Sequence, residues 1–118
     1  MPKRVESLII KIKVSKKELN DFCRRYRVRR LALFGSVVGN EFRAESDVDI
    51  LITFQPDADW GLFDHAQMKA ELQNMLGRKV DLVTRRALEQ TQNKLLRGRI
   101  LRSAKTIYPA NKAQYAKG

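Results

Sequence analysis

The sequence predicts a single small α+β domain in which short strands and amphipathic helices alternate along the chain. Three observations carry that expectation. Apolar runs of strand length occur at Leu31 to Phe34, Val48 to Phe54 and Lys79 to Val83, and the last two alternate in the manner of a half-buried strand. Helix-period stripes occur at Leu19, Phe22, Cys23 and Tyr26, and again at Met68, Leu72, Met75 and Leu76. Turn formers separate them: Gly35-Ser36, Gln55-Pro56-Asp57 and Gly77. At 118 residues the chain has room for one core and not a second.

Composition narrows the class further. With 43% hydrophobic and 31% charged residues the chain has the balance of a globular domain, not of a disordered one. No apolar run approaches the roughly 18–20 residues that span a bilayer. Met1-Pro2-Lys3-Arg4 is charged but precedes no long apolar stretch, so no secretory signal is expected. A lone cysteine, Cys23, excludes an internal disulfide and suits a reducing compartment, so the expected location is the cytoplasm.

The net charge of +11 is unevenly spread. Residues 1–30 carry 11 basic and 3 acidic groups, residues 31–83 carry 4 and 9, and residues 84–118 carry 9 and 1. An acidic centre therefore sits between two basic ends. This suits a metal–nucleotide centre, or docking to an acidic partner, and it equally suits solvated helix faces that aid solubility.

Taken in order, residues 1–14 alternate loosely and are expected as an extended edge segment. Ser15 to Glu18 has capping-box spacing, with Val14 and Leu19 placed as a hydrophobic staple, and a helix follows. Cys23 falls on its apolar stripe as a core residue, and Arg24, Arg25, Arg27, Arg29 and Arg30 crowd its end, where cations suit the dipole. Leu31 to Phe34 is a buried strand broken by Gly35-Ser36, and Val48 to Phe54 is a second strand. Gln55 to Asp59 is a loop, and a helix from Gly61 stops at Gly77. His65, the only histidine, lies near the start of that helix and reads as a surface or partly buried residue. A third strand covers Lys79 to Val83. Thr84 caps one last helix with apolar positions Leu88, Leu95, Leu96, Ile100 and Leu101, and Thr106 to Tyr108 adds an edge strand. The domain is expected over 1–108, with a core motif at 31–83, and 109–118 as a basic flexible tail.

The chemistry concentrates between Gly35 and Asp81. On a strand, Asp47 and Asp49 project to the same side, and two adjacent carboxylates are costly unless a cation lies between them. A strand running into a Gly-led turn exposes backbone N–H groups that suit phosphate, and Ser36 adds a hydroxyl donor. Alone, Gly-Ser is an ordinary turn. Asp81 reads either as a strand-end surface residue or, beside the other two, as the third member of a carboxylate cage.

Gly35-Ser36, ten intervening residues, Asp47-Val-Asp49 and then Asp81 on a later strand resemble the DNA polymerase β-like nucleotidyltransferase superfamily. The likeness is closest to its minimal stand-alone members, the MNT proteins. It extends to Phe22-Cys-Arg-Arg-Tyr26, Val28-Arg-Arg-Leu-Ala-Leu-Phe34, Gly61-Leu-Phe-Asp64 and Leu76-Gly-Arg-Lys-Val-Asp-Leu-Val-Thr84, over about residues 15–108. The resemblance implies a small mixed β-sheet flanked by helices, with the carboxylates on adjacent strands. It implies that Asp47, Asp49 and Asp81 are catalytic and hold one or two Mg²⁺ ions. It places Gly35 and Ser36, with Ser46, at the phosphates of a nucleotide substrate, and gives Asp81 the activation of the attacking hydroxyl. Where many relatives have a second Gly four residues after the Ser, this chain has Asn40, with Gly39 one place early; Asn tolerates left-handed backbone, and Gly39 is expected to supply flexibility. Arg43, in the same loop, is open to a phosphate contact or a solvated role.

Three functions are weighed on this basis. In the first, the chain is a Mg²⁺-dependent nucleotidyltransferase that moves AMP from ATP to a protein hydroxyl. Such relatives are paired with a helical HEPN-type ribonuclease toxin, so the resemblance implies an antitoxin modifying a tyrosine of its toxin. The second is a non-catalytic antitoxin that masks its partner by stoichiometric binding. The third, nucleic-acid binding through the basic ends, rests on charge alone, without a reading helix or aromatic platform, and ranks low.

Overall fold

A computed structural model describes residues 8–39, 42–43 and 45–109. Its elements in chain order are α1 (Lys16–Arg25), β1 (Val28–Phe34), a 3₁₀ turn (Gly35–Val38), β2 (Val48–Phe54), α2 (Leu62–Leu76), β3 (Val80–Thr84), α3 (Arg85–Gln90), α4 (Lys94–Ser103) and β4 (Lys105–Tyr108). The strands form one mixed sheet in the order β3-β2-β1-β4. β1 pairs antiparallel with β2 and β4, while β2 and β3 run parallel, joined through α2. The expected α+β class with a small mixed sheet and flanking helices is what the chain adopts.

Each helix begins where a side chain can satisfy its open N–H groups. Ser15 accepts from the Glu18 amide, Thr84 from that of Ala87 and Asn93 from that of Leu96. Gly77 ends α2 in the left-handed conformation at φ 68°, which a residue with a Cβ adopts at a cost.

Alternation along the strands gives the sheet two unequal layers. On one face Leu31, Leu33, Val48, Ile50, Ile52, Val80 and Leu82 pack against Leu19, Phe22 and Cys23 of α1 and Met68, Leu72 and Leu76 of α2. The other face carries a smaller cluster, Ala32, Phe34 and Leu51, covered by Leu88 of α3 and Ile100 of α4. The larger layer supplies most of the apolar burial that holds the sheet together.

Three sequence expectations are corrected. Residues 8–12 are helical, not extended, with Leu8, Ile9 and Ile12 buried and Ile10 exposed, a spacing that suits one helix face as well as a loose alternation. Arg29 and Arg30 lie on β1 and not at a helix end, because α1 ends at Tyr26 and the buried Val28 already pairs with Phe54. The single last helix is two: Thr91 is extended and Asn93 caps a new start, which leaves Leu95 and Leu96 exposed. Only Pro109 of the expected tail lies within the described residues. No described helix is long and apolar enough to cross a membrane.

Cys23 is fully buried, and burial pushes its thiol far above the ordinary range. The thiolate is the reactive form, so the native protein is expected to react with an aromatic disulfide reagent only as fast as it unfolds. Stopped-flow labelling across a denaturant series checks this, with the labelling rate tracking the unfolding rate.

Candidate active site

Strand register brings the carboxylates together. Asp49 is the Cα partner of Phe34 on β1 and of Asp81 on β3, so Phe34, Asp49 and Asp81 form a row across three neighbouring strands. Asp47 lies just before β2 and is exposed, Asp49 is half-buried and Asp81 is exposed. Partial burial, then the charge of Asp81, then that of Asp47 raise the Asp49 carboxyl above its usual range. The direction is the one expected of like charges gathered at a partly desolvated point.

The Gly-led turn abuts this row. Gly35 has φ +76°, and a Cβ built on it would lie 2.1 Å from an Asp49 carboxylate oxygen. Gly35 is therefore required twice over, for its left-handed backbone and for the space Asp49 occupies. Past it the chain makes one 3₁₀ turn, closed by the Gly39 amide donating to the Ser36 carbonyl at 3.1 Å.

A cleft of about 470 Å³ opens beside the row. Gly35, Asp49 and Asp81 lie at its acidic side; Val83, Ala87 and Leu88 and, from α4, Leu96 and Ile100 form apolar walls. Thr91, Arg99 and Ser103 add polar groups. An acidic rim against an apolar wall with a cation in it suits a phosphorylated ligand that also carries a ring.

The donors fit a hard divalent cation in kind, being carboxylate oxygens on adjacent strand ends. Among the described residues, no three His, Cys, Asp or Glu side chains are already closed on one point, so holding an ion would require rotation about their χ angles.

A family model described as the nucleotidyltransferase domain matches residues 15–107. The chain belongs to this family. Within it, the protein is similar to protein adenylyltransferase MntA of Thermococcus cleftensis, 38% identical over 74 residues, covering 63% of this chain and 70% of that protein. A solved structure described as a minimal nucleotidyltransferase is 32% identical, with TM-score 0.60, covering 86% of this chain and 93% of the other. A third match is a complex described as a tri-AMPylated Shewanella oneidensis HEPN toxin with MNT antitoxin. It is 17% identical with TM-score 0.54, covers 86% of this chain and 77% of the other, and shows the shared fold. The protein is thus a minimal nucleotidyltransferase, an enzyme whose substrate is a nucleotide.

Of the residues singled out from sequence, this minimal nucleotidyltransferase brings Gly35, Asp49 and Asp81 to one cleft, with Asp47 within electrostatic reach. Ser36 is half-buried in the 3₁₀ turn and is not among the cleft-lining residues. The Ser46 hydroxyl accepts from the Arg43 amide at 3.0 Å and shapes the loop. Asn40 lies outside the described residues, and Gly39 takes an extended conformation open to any residue. His65 is half-buried in α2 and does not line the cleft.

The cleft also takes in Arg99, whose only signal in the sequence is the basic excess after residue 84, and Thr91 and Ser103, which carry none. Sequence reasoning also passed over Arg78, which donates to the carbonyls of Arg43 and Ser46, both at 3.1 Å.

Two substitutions test this geometry. Gly35→Ala displaces the Asp49 carboxylate and strains the backbone, and should lower nucleotidyl transfer at least about a hundredfold, well beyond any loss of bound nucleotide. Asp49→Asn should raise Tm by roughly 2–5 °C at neutral pH while abolishing transfer, because it removes a charge the fold holds at a cost. The sign follows from the raised carboxyl: the folded state binds its proton more readily than the unfolded state. The charge penalty is therefore present above the folded-state pKa and relieved as pH falls through it, so the Tm advantage of Asp49→Asn should shrink on acidification. Calorimetric scans of both proteins over an acid-to-neutral series check this.

Proposed function

We propose that this minimal nucleotidyltransferase transfers AMP from ATP to a tyrosine hydroxyl of a HEPN-type toxin and thereby acts as its antitoxin. The observation that carries the reading is the parallel register that sets Asp49 opposite Asp81 beside Gly35. The named activities of the relatives agree in kind.

In this reading Asp47, Asp49 and Asp81 hold Mg²⁺, which supplies charge neutralisation along the triphosphate and on the departing pyrophosphate. The Gly35 backbone and the Ser36 hydroxyl, with Ser46, bind the terminal phosphates. Arg99 faces the same acidic cleft and offsets phosphate charge. Asp81 takes the proton of the acceptor hydroxyl as its oxygen attacks the α-phosphorus. A bond forms from that oxygen to the α-phosphorus, the bond from the α-phosphorus to the bridging oxygen of pyrophosphate breaks, and pyrophosphate leaves. The apolar wall of Val83, Leu88 and Ile100 gives a ring-bearing group a surface to pack on.

A second reading, masking by stoichiometric binding, draws on the large apolar side chains left exposed at Leu62, Phe63 and Leu95. The two part in one experiment. Incubation with ATP, Mg²⁺ and a HEPN partner should add AMP-sized increments to the partner's mass, and Asp47→Ala with Asp49→Ala should abolish both the gain and neutralisation. Neutralisation that survives the double substitution, with no mass gain, selects masking.

A further inference from the structure

The loop between the Gly35–Val38 turn and β2 has the phosphate turn at one end and Asp47 at the other, and its described positions form no helix or strand. Side chains from outside the loop hold it. The Arg78 guanidinium donates to the backbone carbonyls of Arg43 and Ser46, both at 3.1 Å, and lies 4.4 Å from the centre of the Phe42 ring. The Lys11 ammonium donates to the Gly39 carbonyl at 3.0 Å and lies 5.6 Å from the same ring. Within the loop, the Ser46 amide donates to the Arg43 carbonyl at 3.0 Å, and the Ser46 hydroxyl accepts from the Arg43 amide.

Arg78 itself is firmly placed. It follows Gly77, the left-handed end of α2, and precedes Lys79, whose carbonyl accepts from the Val48 amide at 2.9 Å. Two residues after Lys79 comes Asp81 on β3. One short segment thus carries both the brace on the residue before Asp47 and the carboxylate of Asp81.

We propose that Arg78 is a positioning residue for nucleotidyl transfer: stacked on Phe42 and bridging the carbonyls of Arg43 and Ser46, it fixes Asp47 relative to Asp81. The inference rests on the reading of those carboxylates as one metal-holding set. One guanidinium nitrogen, Nη1, donates to both carbonyls while the flat group lies close over the Phe42 ring, nearer than the Lys11 ammonium at 5.6 Å, and a lysine at this position would lose that planar contact. Asp47 is exposed and outside β2, so no core packing holds it in place of this brace. Asp49, by contrast, is fixed by the sheet ladder.

The test uses the full chain as wild type, Arg78→Ala and Arg78→Lys, with Mn²⁺ as the probe. Electron paramagnetic resonance measures Mn²⁺ affinity, and hydrogen exchange measures protection of the amides at 45–48. Arg78→Ala should weaken Mn²⁺ binding about tenfold, and should raise the Mg²⁺ concentration for half-maximal transfer by a similar factor while the rate at saturating Mg²⁺ largely recovers. Exchange should quicken at 45–48 and stay unchanged in α1 and α2. Arg78→Lys, which keeps the charge but not the planar group on the Phe42 ring, should restore less than half of the lost affinity. Unchanged Mn²⁺ affinity in Arg78→Ala, or faster exchange throughout the domain, overturns the positioning role. Full recovery by Arg78→Lys does so as well. If wild type binds Mn²⁺ and the variants behave as expected but no acceptor gains AMP, the proposed activity fails and Arg78 stands. A wild type that binds no Mn²⁺ sinks both.

Discussion

The parallel pairing of β2 with β3 is the constraint on which the rest depends. It sets Asp49 beside Asp81 at a point where one carboxylate is already half out of water. The arrangement opposes folding, since burial and then the nearby charge of Asp81 raise the cost of the Asp49 carboxylate. It persists because the opposite face of the same strands is dry: Val48, Ile50 and Ile52 of β2 and Val80 and Leu82 of β3 are buried under α1 and α2. Apolar burial on one side of the sheet sustains electrostatic strain on the other. Moving either strand by one residue would turn its carboxylate into that core, so the register is held by both requirements at once.

Much of this was legible in the chain. Alternation through Val48 to Phe54 and Lys79 to Val83 located the strands and the faces their carboxylates take, and Gly77 marked the end of α2 where the structure has it. Likeness to known nucleotidyltransferases supplied what periodicity lacks, namely that two strands separated by a helix are neighbours. The failures have local causes. Residues 8–12 are short and apolar at all but Lys11, so a period of 2 cannot be separated from one of 3.6. The break between α3 and α4 turns on Thr91 and Asn93, two polar residues whose capping role shows only once Leu95 and Leu96 are seen to face solvent.

The cleft and the loop brace were the least legible parts, for a related reason. Arg99 reaches the site because α4 crosses the sheet face above Phe34, and Arg78 reaches the loop across 32 residues of sequence. In the sequence Arg99 is one of many cations after residue 84 and Arg78 is one of the few in an acidic stretch, and neither context marks a role. Tertiary placement, not residue type, separates a solvated arginine from one that holds a loop or faces a cleft.

The unequal layers have one more consequence. Regions of a protein open independently in proportion to how little apolar surface ties them down. The layer over the cleft is tied by Leu88 and Ile100, while the layer beneath the sheet carries the bulk of the core. Footing and cleft wall are therefore separate parts of the molecule. The spacing of the carboxylate row thus depends on the core beneath the sheet and not on the helices that wall the cleft, because the pairing that sets it is anchored from below.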